Sequence, residues 1–160
     1  MKTVYIETSV VSYLAALPAR DLLVAAWQSA TQQWWSKRRP GFELFTSQLV
    51  LDEAAAGHPD AAERRLRSLV AIPILPITDG ASELAVSLLK DGALPEKAAD
   101  DALHLAIAAY HRVDYLLTWN CRHLDNAEMK PVMRSVCAIH GYACPEICTP
   151  LELMGDEHEG

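Results

Sequence analysis

Glu7 stands directly behind the run Val4-Tyr5-Ile6, and further acidic or amide positions follow at wide spacing: Glu53 with Asp52 beside it, Asp101 behind Asp100, and Asn120. Carboxylates that converge resist desolvation and repel one another unless something positive sits among them. A hard divalent cation answers that need, and Mg²⁺ or Mn²⁺ accepts such oxygen ligands. An ion of this kind can polarise a phosphoryl oxygen and activate a water as nucleophile, and a second ion can steady the leaving oxygen. Glu7, Glu53, Asp101 and Asn120 are therefore the candidate ligands and catalytic residues, with Asp100 as a further metal ligand. Thr8, Ser9 and Thr118 are hydroxyls placed to orient the carboxylates from behind, and His104, one turn after Asp101, is a possible partner for them.

These residues act together only if the chain folds them to one place. Runs rich in β-branched and aromatic residues predict strands at Thr3–Ile6, Phe42–Thr46 and Tyr115–Thr118, with weaker ones at Ile72–Leu75 and Ile147–Thr149. Helical periodicity predicts helices over Leu22–Lys37, Leu49–Ala56, Ala61–Val70, Ala81–Lys90, Ala98–His111 and Asn126–Ile139. Strands alternating with helices give a parallel sheet covered on both faces. In such sheets ligands bind beyond the carboxyl ends of the strands, which is where Glu7, Glu53, Asp101 and Asn120 would fall.

Each acid also has an ordinary reading. Asp100 and Asp101 suit the first turn of a helix through the helix dipole, and Asp52 and Glu53 suit a solvated face. Thr8 or Ser9 suits a helix cap. A lone histidine such as His104 is more often a packed residue. Glu7 is harder to dismiss, because a carboxylate at the end of an apolar strand has no evident structural purpose. The basic clusters Lys37-Arg38-Arg39 and Arg64, Arg65 and Arg67 suit either RNA phosphates or solvated helix surfaces. Trp119, next to Asn120, would either stack a nucleotide at the rim or wall the site off.

The 160 residues suit one domain, expected over residues 1–155, with Asp156–Gly160 as a disordered acidic tail. A protein that grips nucleic acid by phosphate neutralisation alone is usually basic, so a formal net charge of −7 means either that nucleic acid is not the partner or that bound cations supply the missing charge. No apolar stretch is long enough to span a bilayer, and the N-terminus lacks a signal-peptide core, so a cytoplasmic location without membrane association is expected. Cys121, Cys137, Cys144 and Cys148 are expected as thiols rather than bridges. A phosphate-gripping loop or dinucleotide turn needs glycines after the first strand, and Glu7-Thr8-Ser9-Val10-Val11-Ser12 has none. An aspartyl-phosphate enzyme needs Asp as nucleophile at that place, and Glu7 argues against it.

In this order the motifs resemble those of the PIN domain family, and within it the VapC-like toxins. The resemblance rests on Glu7-Thr8-Ser9 after the first strand, Ser47-x5-Glu53 leading into a helix, Asp101-Ala102-Leu103-His104-Leu105-Ala106 opening a helix, and Thr118-Trp119-Asn120 closing a strand. It covers about Val4 to Asn120. It implies a three-layer α/β/α PIN-like fold with a central parallel sheet. It also implies a Mg²⁺- or Mn²⁺-dependent ribonuclease that cleaves single-stranded or structured RNA, often as the toxin of a type II toxin–antitoxin pair. A small antitoxin protein and a homodimer are the partners implied. Two positions depart from the family pattern. Glu7 stands where Asp is usual and reaches one methylene further, and Asn120 stands where Asp is usual and carries no charge. Those departures keep open an alternative: a weak or inactive PIN domain acting as an RNA-binding or protein-interaction module.

Overall fold

Val4, Tyr5 and Ile6 are all fully buried, so strand β1 (Lys2–Ile6) is covered on both faces, as a central parallel strand must be. β2 (Phe42–Ser47) pairs along one side of it and β4 (Tyr115–Leu117) along the other, while β3 (Ile74–Leu75) and β5 (Glu146–Cys148) form the edges. All pairings are parallel, in the order β3-β2-β1-β4-β5. This is a computed structural model, and it describes residues 1–155; the tail expected at Asp156–Gly160 lies outside the described residues.

Seven α-helices complete the three-layer α/β/α fold: α1 (Thr8–Ala15), α2 (Leu22–Gln33), α3 (Gln48–Ala54), α4 (Pro59–Leu69), α5 (Asp79–Lys90), α6 (Ala99–Tyr110) and α7 (Lys130–Ile139). Helix α1 packs on α2, α3 and α4, and α5 packs on α6 and α7. After β3 the chain returns to the far side of β1 to form β4. The strand order therefore reverses between β1 and β4, and the crevice beyond their carboxyl ends is the place where open α/β sheets hold ligands.

The helix boundaries carry three corrections. Helix α1 begins immediately after Glu7, where Val10, Val11 and Leu14 supply an apolar face too short to stand out as a periodic run. The helix expected over Leu22–Lys37 keeps its α form only to Gln33. It then widens into a π-helical turn over Trp34–Arg38 and tightens at Arg39–Gly41, where Pro40 removes a backbone donor. In the widened turn Trp34 lies buried against Phe42, with ring centroids 5.8 Å apart. The last helix starts at Lys130 rather than Asn126. Pro131 fits only its first turn, and the Asn126 side chain accepts instead from the Glu128 and Met129 N–H groups.

Two buried tryptophans give a stability comparison. The Trp34 indole N–H is buried with no hydrogen-bond partner among the described residues, whereas the Trp119 N–H donates to Thr31 Oγ1 at 2.7 Å. Both Trp→Phe changes remove similar volume, but only the second gives up a bond. Trp119→Phe is expected to cost about 1–2 kcal/mol more than Trp34→Phe in urea unfolding; equal costs would contradict this.

Candidate active site

Glu7 has a structural purpose after all. It is the N-cap of α1, and its carboxylate accepts the Ser9 N–H at 3.1 Å. The cap is thus Glu7 itself, not Thr8 or Ser9. Parallel pairing with β4 runs on to Glu7, whose N–H donates to the Leu117 carbonyl. That register sets the carboxylate beside Thr118, whose hydroxyl donates to Glu7 Oε1 at 2.6 Å; the Ser9 hydroxyl donates to the same oxygen. Glu7 is 6 % exposed, so these donors satisfy a nearly buried charge.

Glu53 comes from α3, whose N-cap is Ser47. Its Oε1 accepts the Thr8 hydroxyl at 2.6 Å and faces His104 Nε2 at 2.6 Å. A carboxylate can only accept, so Nε2 carries a proton. His104, fully buried on α6, turns its Nδ1 to the Tyr5 hydroxyl at 2.7 Å, and that hydroxyl lies 2.7 Å from Ser47 Oγ. A continuous chain, Ser47–Tyr5–His104–Glu53–Thr8, therefore ties β1, α3 and α6 to one carboxylate. Asp52, beside Glu53, is exposed and bonded to Gln48 instead.

Charge governs the direction of the shifts here. Burial alone would push the His104 pKa down, but the bond to Glu53 and the fields of Glu7, Glu53 and Asp101 outweigh it and hold His104 above its ordinary value. Burial would push Glu53 up, but the His104 bond and charge, with the Thr8 hydroxyl, hold it below its ordinary value. The shift favours the charged form of the ring beside the carboxylates. Burial, reinforced by the charges of Glu7 and Glu53, raises Tyr5, so its hydroxyl stays protonated.

Asp101 opens α6 but lies outside the tight group, its Oδ2 facing His123 Nδ1 at 3.0 Å. Asp100 beside it is exposed. Asn120 turns its Oδ1 to the His123 N–H, which it accepts at 3.0 Å, and its carbonyl accepts from Leu124 and Asp125. Sequence reasoning passed over His123, although an Asn three residues ahead of it is the residue type that accepts a backbone N–H at that spacing.

Among the described residues, Glu7, Glu53 and His104 each offer a ligand atom, all within 4.8 Å of one another. The two carboxylates suit a hard divalent ion, while both His104 nitrogens are already engaged, Nε2 on Glu53 and Nδ1 on Tyr5.

The other candidates have different uses. Trp119 is buried, stacked on Trp27 with centroids 5.3 Å apart, and presents no free face to a nucleotide. Arg64 donates to the Ala15 carbonyl at the end of α1, and Arg65 donates to the Ala54 and Ala56 carbonyls at the end of α3. Arg67 pairs with Glu63. Arg38 binds the Leu153 carbonyl, and Arg39 lies over the Trp35 ring, 4.3 Å from its centroid. Arg64 and Arg65 thus complete helix ends, which the reading of solvated surfaces missed. The four cysteines are free thiols; burial beside Glu152 and Asp125 pushes Cys148 up to about 12.

A family model described as the PIN domain matches residues 4–127. No curated protein sequence matches the chain. Among solved structures, Mycobacterium tuberculosis VapC20, described as a toxin that cleaves the sarcin-ricin loop, is similar with a TM-score of 0.57 at 19% identity, covering 81% of this chain and 94% of that one. VapBC2 from Rickettsia felis, solved with a DNA fragment of its promoter, gives a TM-score of 0.59 at 13% identity, covering 92% of this chain and 98% of that one. VapBC-5 of Mycobacterium tuberculosis, from a family of toxin–antitoxin systems, gives 0.50 at 19%, covering 93% and 99%. At these identities the likeness is one of fold. Among the described residues no helix is long and apolar enough to cross a membrane.

Proposed function

The chain belongs to the PIN domain family, and from that premise we propose that it is a metal-dependent ribonuclease of the VapC type, the toxin of a type II toxin–antitoxin pair. The observation that carries the reading is the meeting of Glu7, Glu53 and His104 ligand atoms within 4.8 Å, with Asp101 close enough for its field to act on His104, at the sheet's switch point. Glu7, Glu53 and Asp101 are the proposed ligands of Mg²⁺ or Mn²⁺, with Asp100 as a more distant acid. His104 donates its Nε2–H to Glu53 and so orients that ligand rather than binding the ion, and the oxygen donors that are left suit either Mg²⁺ or Mn²⁺. When bound, the ion supplies Lewis-acid polarisation of a phosphoryl oxygen and activation of the attacking water.

The protein's own part is to hold and orient. Thr8 and His104 fix Glu53, Ser9 and Thr118 fix Glu7, and the buried Tyr5 hydroxyl stops the His104 ring from turning. Such fixed carboxylates lose little freedom when an ion arrives. The substrate is single-stranded or structured RNA, and the partners are a small antitoxin protein and a second copy of the chain, acting in the cytoplasm. With Arg64 and Arg65 used at helix ends, a bound cation supplies positive charge for the phosphodiester.

The test is cleavage of structured and unstructured RNA in Mn²⁺, by the wild type and by Asp101→Asn. The wild type should cleave and lose activity in chelator, and Asp101→Asn should fall at least a hundredfold, about 2.7 kcal/mol of transition-state stabilisation. One observation favours a second reading, an inactive interaction module: the Asn120 oxygen is already engaged. A wild type that neither cleaves RNA nor gains thermal stability from millimolar Mn²⁺ would decide for that module.

A further inference from the structure

Each proposed metal ligand has donors of its own. Glu7 has Ser9 and Thr118, and Glu53 has Thr8 and His104. Among the described residues, the side chain of Asp101 receives a single hydrogen bond, from His123 Nδ1. Because a carboxylate only accepts, the proton lies on Nδ1. The two side chains are largely shielded, 17% exposed for His123 and 20% for Asp101.

The segment that carries His123 is itself pinned along its length. The Trp119 N–H donates to Ser9 Oγ at 2.8 Å, and the Trp119 ring is anchored to Thr31. Asn120 uses its side chain on the His123 N–H and its carbonyl on the Leu124 and Asp125 N–H groups, and Leu124 is fully buried. The imidazole is thus delivered to Asp101 by a turn that Asn120 closes. The same segment begins at Thr118, whose hydroxyl holds Glu7. One strap after β4 therefore touches two carboxylates that come from the end of β1 and the start of α6.

From this geometry we propose that His123 is the positioning residue of Asp101. Asn120 shapes the turn, and His123 does the orienting. The proposal rests on the reading that Asp101 serves the bound ion. Removing the imidazole leaves the Asp101 carboxylate free to rotate, and loss of an outer partner of this kind weakens metal binding about 10- to 100-fold. Asparagine puts its amide nitrogen the same number of bonds from the backbone as Nδ1, whereas glutamine puts its nitrogen where Nε2 lies.

The experiment is calorimetric titration of Mn²⁺ into the wild type, His123→Ala, His123→Asn and His123→Gln, with the thermal midpoint of each ion-free protein as a check on the fold. His123→Ala should bind Mn²⁺ at least tenfold more weakly with a near-unchanged midpoint, His123→Asn should recover most of the affinity, and His123→Gln should not. Wild-type affinity in His123→Ala, or equal rescue by glutamine and asparagine, would overturn the role of His123 and leave the nuclease reading standing. A wild type that takes up no Mn²⁺ would overturn both.

Discussion

Glu53→Gln is expected to abolish Mn²⁺ binding and to lower RNA cleavage about a thousandfold, roughly 4 kcal/mol of transition-state stabilisation, while leaving the protein folded. Both hydrogen bonds to Glu53 fall on Oε1, from Thr8 and His104. Glutamine keeps an oxygen able to accept them, so the chain from Ser47 through Tyr5 and His104 survives in outline. What it loses is the charge, and an amide oxygen is a much poorer ligand for a divalent cation. The change should also bring the His104 pKa down, because the Glu53 bond heads the influences that hold it up against burial. Calorimetry with Mn²⁺ and a single-turnover cleavage assay read the two effects. Cleavage within tenfold of wild type would remove Glu53 from the catalytic set.

His104→Ala carries the largest expected loss of stability, about 3 kcal/mol in the ion-free protein. For a chain of this size that is a fall of about 6–12 °C in Tm. The side chain is fully buried, so its removal leaves a cavity. It also strips Tyr5 and Glu53 of a partner and leaves Glu7 and Glu53 without the intervening imidazolium. The loss should depend on pH. His104 is raised in the folded state, so its contribution is complete below its ordinary value of 6.5 and is lost as pH climbs through the folded value. Glu53 is lowered, so its contribution is complete above its ordinary value of 4.5 and is lost as pH falls through the folded value. The gap between wild type and His104→Ala should be widest between about pH 4.5 and 6.5 and narrow on the alkaline side. Thermal melts across pH in chelator check this; a gap that widens from pH 6.5 to 9 would refute the imidazolium.

The parallel strands and most helices were legible because their apolar patterns repeat locally, as in Val4-Tyr5-Ile6 or Leu84, Ala85 and Leu88. Placement of Glu7 and Asn120 beyond β1 and β4 followed from the rule for parallel sheets. The finer assignments failed where a side chain's partner lies far off in sequence. Nothing near Trp119 announces Thr31 or Trp27, which hold it in the core. Arg64 and Arg65 read as surface charges until the carbonyls of Ala15 and Ala54 come within their reach. His104 read as a packed residue, and it is one, but its two ring nitrogens also link Tyr5 to Glu53. The helix over Thr8–Ala15 was signalled only by a cap reading at Thr8 or Ser9, because its apolar face is short and its actual cap, Glu7, is a residue type outside the preferred capping set.

The strand order also fixes when the site can exist. β1 sits at the middle of the sheet, yet one of its neighbours arrives late: Thr3 bonds to Asp114, 111 residues further on. At roughly 5–20 residues per second, a ribosome takes about 5–20 s to cover that distance. During that interval the growing chain gains Glu7, then Glu53, then His104, but Thr118, which sets Glu7, comes only after it. A chain cut short before β4 holds Glu7, Glu53 and Asp101 but lacks Thr118 and His123, which set the first and the last of them. The proposed site is therefore complete only after β4 and the segment through His123 have left the exit tunnel.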